Sequence, residues 1–244
     1  MNRDKRRMYY IPNNKGHFGT QKEALRKNKN SSKTKKKVAK TEFHKIIEFC
    51  VQNCNSVHSE RKEKLTKLGI KDSKADVIIL TETKTGENSN VFNMPGYKIV
   101  AQRDRKRGAG GILVLAKTRL IVTEAEAKDV AEEIQVASFI INNLLVIGVY
   151  RSPTIALGST NKKHHGALID YLDKKIDSHK GRYVLTGDFN LGDLAKYDFK
   201  PPNLTEPKDG DEPTPEQAWC GFVSFHDLQQ HVDAPTFARS NKTL

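Results

Sequence analysis

The sequence predicts an α/β fold in which two mixed β-sheets pack face to face with helices on the outside. Between residues 46 and 80, apolar β-branched segments flank an amphipathic one, which is typical of parallel strands joined by a helix. Between residues 97 and 150, short apolar segments separated by turns favour antiparallel pairing. A chain of 244 residues can bury a sizeable core, so both patterns are assigned to one large domain.

The first elements are predicted to form a crossover unit. Ile46–Gln52 is apolar and β-branched, as expected of a core strand. Ser59–Leu68 carries Leu65 and Leu68 three residues apart among charged side chains, which predicts a helix with one buried face. Asp76–Leu80 is a second apolar strand, and a strand, helix and strand within about thirty residues fit a parallel pair in one sheet.

The middle of the chain is predicted to contain five short strands: Tyr97–Val100, Gly111–Leu115, Leu120–Val122, Ile134–Ile141 and Leu144–Tyr150. Asn142 and Asn143 separate the last two strands and predict a two-residue hairpin turn. The apolar stretch is interrupted there and does not reach the roughly twenty residues that a membrane helix needs. We therefore expect no membrane partner.

The last third is predicted to contain a helix at Leu168–Ile176, after a polar loop with His164 and His165, and then the strand that leads to Asp188. Residues 192–213 are rich in Pro, Asp and Lys and predict a long surface loop. Thr214 and Pro215 are typical of a helix start, as cap and first residue. The core face of this helix is predicted to carry Trp219, Phe222, Val223 and Phe225.

Residues 1–42 are predicted to form a basic, disordered arm. The first forty residues contain 14 Lys/Arg and 2 Asp/Glu, so nearly all of the net charge of +13 lies there. Few aliphatic residues are available to offset the entropy of ordering. Such a block favours an electrostatic tether for DNA or RNA, or a nuclear-import signal, and a solvated tail without a partner is an equal alternative. Three cysteines without metal-ligand spacing favour a reducing, intracellular compartment, and the arm favours the nucleus.

Polar side chains end four of the predicted strands. Asp188 and Asn190 follow the apolar run Tyr183–Thr186 and, two residues apart on an extended chain, point the same way. Asn53 and Glu82 end two earlier strands, and Tyr150 ends another. Taken singly, these residues fit a turn, a cap, a surface ion pair with Lys84 or a packed tyrosine. Their shared position at strand ends favours a common site.

The same residues match the needs of phosphodiester hydrolysis, which requires charge neutralisation, an activated water and donors to the phosphate oxygens. Glu82 is a hard oxygen ligand suited to Mg²⁺, with Mn²⁺ as an alternative. Asp188 could take a proton from water that Asn190 orients, and Tyr150 could donate to a phosphate oxygen or the leaving group. Asn53 would hold Glu82 or the metal shell in place.

The order and local setting of these motifs resemble the endonuclease/exonuclease/phosphatase superfamily, which includes deoxyribonuclease I and the abasic-site endonucleases. The matching segments are Val51–Ser56, Asp76–Thr83, Arg107–Ile112, Val149–Pro153 and Gly187–Asn190. The resemblance implies a deoxyribonuclease I-like four-layer sandwich over residues 43–244. It also implies metal-dependent hydrolysis, with Glu82 as the metal ligand and Asn53, Tyr150, Asp188 and Asn190 as catalytic residues.

Within that superfamily, Phe225–Val232, Ala234–Phe237 and Asn241–Leu244 resemble the endonuclease domain of non-LTR retrotransposons, with Phe237 in the place of an Arg. The resemblance implies a DNA-nicking enzyme linked to a reverse transcriptase domain. In that family an Asp and a later Ser-Asp-His segment follow, so a sequence ending at Leu244 is expected to lack the last strands and to be inactive or impaired. The alternatives are an abasic-site repair nuclease, a phosphatase of the same superfamily, and a non-catalytic nucleic-acid-binding remnant.

Overall fold

The computed structural model describes residues 10–12, 47–57, 59–85, 92–105, 109–153, 162–191, 194, 205 and 211–230. The strands are β1 (Tyr10–Pro12), β2 (Phe49–Asn53), β3 (Val77–Thr81), β4 (Tyr97–Arg103), β5 (Ile112–Lys117), β6 (Thr123–Ala131), β7 (Ile134–Ile141), β8 (Leu144–Arg151), β9 (Arg182–Asp188) and β10 (Leu228–Gln230). The helices are α1 (Glu60–Ser73), α2 (Lys162–Ser178) and α3 (Pro215–Phe225).

The first large sheet has the strand order β2-β3-β5-β4. Strands β2 and β3 are parallel and α1 connects them, which confirms the predicted crossover unit. Strand β5 runs antiparallel to both β3 and β4, so the sheet is mixed. Helix α1 extends beyond the predicted Leu68 because Ile70 continues its buried face.

The second large sheet has the order β6-β7-β8-β9 and is also mixed. Strands β6, β7 and β8 are antiparallel, whereas β8 and β9 are parallel and joined through α2. Asn142 and Asn143 both have positive φ, at 50° and 58°, and connect β7 to β8 as predicted. Asparagine tolerates this left-handed conformation, which a two-residue hairpin of matching twist requires.

The two sheets pack face to face around a shared apolar layer. Val77, Ile79 and Val114 of one sheet meet Phe139 and Val146 of the other. The outer face of the first sheet packs against α1, and that of the second packs against α2 and α3. This arrangement confirms the predicted fold of two mixed sheets with helices outside.

One predicted strand is wrong. Leu120–Val122 is not a strand, and β6 begins at Thr123 with a sequence in which polar and small residues predominate. Ile121 is 80% exposed. Strand β6 lies at the edge of its sheet and presents one side to water, so apolarity is a poor guide to its position.

Two predictions for the helices also need correction. The helix start at Thr214 and Pro215 is confirmed, with a capping box between Thr214 and Gln217, but Phe225 is 80% exposed at the last turn. His164 and His165 lie on α2 and not in a loop. Position 165 faces inward because it is on the same side of the helix as Leu168 and Leu172, which pack on the second sheet.

Within the predicted arm, Tyr10–Pro12 forms a strand antiparallel to β10. The rest of residues 1–42 and the tail motifs after Gln230 lie outside the described residues, so the predictions made for them stay predictions. Among the described helices, none combines the length and apolarity needed to cross a bilayer.

Candidate active site

The registers of the two parallel strand pairs bring the predicted site residues to one edge of the sandwich. Asn53 lies opposite Thr81 in the β2–β3 pair, so Glu82 follows directly beyond the sheet. Tyr150 lies opposite Asp188 in the β8–β9 pair. Strand β9 packs against β2 and β3 across the core. The carboxyl ends of both parallel pairs therefore meet, which is where α/β sheets place their ligand crevices.

A hydrogen bond between the two sheets joins Asn53 to Asp188. Asn53 donates from Nδ2 to Oδ2 of Asp188 at 2.8 Å, and its Oδ1 accepts from the amide of Asn55 at 3.0 Å. Burial raises the pKa of Asp188, the bond from Asn53 opposes that shift, and the negative charge of Glu82 adds to it. Asn53 therefore supports the carboxylate of Asp188. The predicted role of Asn53 in holding Glu82 or the metal shell stays a prediction.

Glu82 lies in the turn after β3 with a φ of 54°. The amide of Ser56 donates to the carbonyl of Glu82 at 2.6 Å, which fixes this turn against the end of β2. Lys84 places its Nζ 3.1 Å from Oε2 of Glu82 and donates to Oδ1 of Asn55 at 2.6 Å. The predicted surface ion pair thus exists, and it lies inside the site.

Tyr150 is buried beside two negative charges. Burial, together with the charges of Glu82 and Asp188, raises its pKa to about 12. The phenol is therefore protonated near neutral pH and can donate a hydrogen bond. Gly110, close to this ring, has a φ of 56°, and a side chain there would come within 3.0 Å of Arg105 and Gln135, so glycine permits the tight packing of this loop.

The turn after β9 is tied to the end of β8 by reciprocal hydrogen bonds. Asn190 donates from Nδ2 to the carbonyl of Arg151 at 2.7 Å, and Nη1 of Arg151 donates to the carbonyl of Asn190 at 2.7 Å. Asn190 has a φ of 47° and also hydrogen-bonds Asp188. The prediction that Asp188 and Asn190 alternate on an extended chain is wrong, because β9 ends at Asp188 and Asn190 is left-handed. Hydrogen bonds to Asp188 and to the end of β8 hold the Asn190 side chain instead.

The donor set of this edge fits a hard divalent cation. Glu82 and Asp188 supply carboxylate oxygens and interact electrostatically with each other. In the part of the chain that the structure describes, no group of three or more His, Cys, Asp or Glu side chains could hold a metal. Mg²⁺ needs only one or two carboxylates because it retains several waters, so the residues present are compatible with it.

A family model, the endonuclease/exonuclease/phosphatase family, matches residues 51–225 of this sequence. The chain belongs to the endonuclease/exonuclease/phosphatase family. Its members are nucleases and phosphatases that cleave phosphate esters and generally depend on a divalent metal. The match covers all five predicted site residues, while their individual roles stay predictions.

Solved structures share the fold. A 3′ phosphatase from Neisseria bound to a product DNA hairpin has a TM-score of 0.53 and 18% identity, covering 74% of this chain and 71% of that one. An AP endonuclease from Archaeoglobus fulgidus has a TM-score of 0.50 and 16% identity, covering 74% and 71%. A comparison with curated proteins found no match. At these identities the likeness concerns the fold alone.

Several polar residues that support the site were not predicted. Gln135 is buried in β7 and accepts from the amide of Gly111 at 2.7 Å, anchoring the glycine loop. A single amide inside an apolar strand was the available signal for it. Arg151 and His165 gave no such signal because their importance depends on contacts between elements far apart in the chain.

Proposed function

We propose that this chain is a divalent-metal-dependent endonuclease domain that hydrolyses phosphodiester bonds in DNA. The observation that carries the proposal is the bond between Asn53 and Asp188 beside Glu82 and Tyr150 at one edge of the sandwich. A carboxyl group, a protonated phenol and amide donors are then gathered at one edge. These are the groups that phosphoryl transfer to water requires.

Each side chain has a chemical role in this proposal. Asp188 accepts a proton from the attacking water, and the bond from Asn53 favours its ionised form and orients it. Tyr150 donates to a non-bridging phosphate oxygen or to the leaving oxygen. Asn190 orients the water from the turn next to Asp188.

Glu82 would hold Mg²⁺ or Mn²⁺, and its charge acts on the nearby carboxyl group of Asp188. Such an ion would neutralise the charge that develops on the phosphate and the leaving oxygen. Lys84, paired with Glu82, would supply a further positive charge to a phosphate bound there.

Plasmid nicking tests the activity. The full chain should convert supercoiled DNA to the open circle in Mg²⁺ or Mn²⁺ and should stop in excess EDTA. Asp188→Asn and Glu82→Gln should each lower the rate by a factor on the order of 10² to 10⁴. Asp170→Asn, on the exposed side of α2, is the matched control. Nicking that survives EDTA, or that Asp188→Asn leaves intact, would exclude the mechanism.

We further propose a retrotransposon origin and a linked reverse transcriptase, supported by the resemblance of Phe225–Val232 and the segments after it. A nick with a 3′-hydroxyl that a reverse transcriptase extends is the expected product. The Neisseria protein is described as a 3′ phosphatase and the Archaeoglobus protein as an AP endonuclease, so abasic DNA and a 3′-phosphorylated duplex belong in the same assay. If the chain cleaves either of these substrates faster than intact plasmid DNA, the retrotransposon assignment is wrong, while the proposed hydrolysis of phosphate esters still holds.

The basic arm is proposed to bind nucleic acid non-specifically and to direct the protein to the nucleus. Replacing Lys35, Lys36 and Lys37 by Gln should flatten the salt dependence of DNA binding, with the slope falling by about 0.9 for each phosphate that is no longer neutralised. An unchanged slope would mean that the arm is a solvated tail.

A further inference from the structure

A buried polar chain connects the candidate site to the outer helices. It begins at Arg151, the last residue of β8, whose side chain has no exposed surface. Nη1 of Arg151 donates to the carbonyl of Asn190 at 2.7 Å and lies 3.4 Å from that of Phe189. Nη2 lies 3.3 Å from Nε2 of His165 on α2, and Trp219 on α3 donates to Nδ1 of the same ring at 3.0 Å.

Hydrogen-bonding capacity defines the role of His165 in this chain. Guanidinium and indole N–H groups only donate, and a neutral imidazole has a single acceptor nitrogen. The shorter contact is the one from Trp219, so the indole fixes the ring and the Nε2 edge of His165 packs against the guanidinium. Arg151 is thereby confined from behind by α2 and α3.

Burial of the guanidinium is costly, and its hydrogen bonds lead to the candidate site. Burial lowers the pKa of Arg151 to about 10, so the side chain remains charged near neutral pH. The carbonyls that it holds belong to the two residues directly after Asp188. Asn190 is left-handed there, with a φ of 47°, and returns a bond from its side chain to the carbonyl of Arg151. Both carbonyls face Nη1, whereas Nη2 faces His165. The planar guanidinium therefore reaches the turn and α2 with two different nitrogens, which a lysine ammonium with one nitrogen cannot do.

We propose that Arg151 is a positioning residue for the Asp188–Asn190 turn, with His165 and Trp219 as its rear support. The expected effect of Arg151 on the nicking rate rests on the proposed function, whereas its structural role does not. Phe189 strengthens the link because its ring lies perpendicular to that of Trp219, with the centroids 6.1 Å apart. The same tryptophan therefore supports the turn from its apolar side and, through His165 and Arg151, from its polar side.

The test compares Arg151→Lys and Arg151→Met with Arg182→Lys in the full chain. Arg182 is exposed at the opposite end of β9, so Arg182→Lys makes the same chemical change at a position that does not contact the turn. Hydrogen exchange of the amides at 188–191 should accelerate by about tenfold in Arg151→Lys and not in Arg182→Lys. The kcat for DNA nicking should fall about a hundredfold with KM nearly unchanged, and further in Arg151→Met.

The exchange measurement separates this inference from the proposed function. If the native chain nicks no DNA, the function fails while exchange still decides the role of Arg151. A folded Arg151→Lys variant with native exchange rates or native kcat overturns the inference.

Should Arg151→Lys not fold, His165→Gln retains the guanidinium and removes the ring behind it. Faster exchange at 188–191 is then expected, together with a shifted emission of Trp219, the single tryptophan of the chain. A folded His165→Gln variant with native exchange overturns the inference equally.

Discussion

Replacing Gly187 by alanine should damage both stability and the site, and the structure indicates how much. Gly187 has a φ of 132°, a conformation almost closed to residues with a side chain. An added Cβ would overlap the carbonyl oxygen of Val149 on β8 and lie 2.7 Å from its amide nitrogen. Backbone strain of about 1 to 3 kcal/mol and a forced separation of β8 from β9 both oppose folding. We expect a loss of about 3 kcal/mol or more in the free energy of unfolding.

Urea denaturation, followed by circular dichroism, measures this loss. Gly166→Ala is the matched control because Gly166 lies within α2 with open space around it, and alanine there should stabilise by about 0.5 to 1 kcal/mol. The displacement also reaches Asp188, the next residue, so the nicking rate of any folded Gly187→Ala protein should fall about a hundredfold. A Gly187→Ala midpoint equal to that of the native chain would refute the close strand contact.

Three further outcomes test the electrostatics and the supports. Burial raises the pKa of Asp188, so the negative charge of this residue weakens the fold near neutral pH. Asp188→Asn, measured in EDTA, should therefore raise Tm at pH 7. The gain in Tm should vanish below pH 3.8, the ordinary pKa of an aspartate. The bond from Lys175 lowers the pKa of Glu126 to about 2. Glu126→Gln should therefore lower the free energy of unfolding at pH 7 by about 1 kcal/mol, a figure reduced for the solvent exposure of the pair. In urea denaturation this loss should disappear as the pH falls toward 2. Gln135→Leu leaves the amide of Gly111 without its acceptor and should cost about 1 to 3 kcal/mol by the same melts, whereas an unchanged midpoint would mean that the loop is anchored elsewhere.

The elements that the sequence located well are those in which local and tertiary preferences agree. Strands β3, β7 and β8 are buried on both faces, so continuous apolar runs mark them. The cap at Thr214 and the Asn142-Asn143 turn follow from side-chain and backbone chemistry within a few residues. The sequence did not predict edge strand β6 or the exposure of Phe225, because residues distant in the chain decide how much water reaches those positions.

The candidate site divides in the same way. Strand ends and motif order predicted the five candidate residues, because parallel strands bring their carboxyl ends to one edge of a sheet. These residues are Asn53, Glu82, Tyr150, Asp188 and Asn190. The partner of Asn53 was not found. Its bond to Asp188 spans 135 positions and depends on how one sheet is stacked on the other. Catalytic roles for these residues stay predictions until the variants are measured.

By itself the sequence determined the α/β class, the alternation of elements and the chemical types available at the strand ends. These properties follow from side-chain periodicity and from turn and cap preferences, which act over a few residues. Only the tertiary structure decided that Asn53 binds Asp188, that Gln135 anchors the glycine loop and that Arg151 holds the turn after Asp188. Those contacts arise when two sheets and two helices close on one core, because burial obliges each polar group to find its partner in whichever element packs against it.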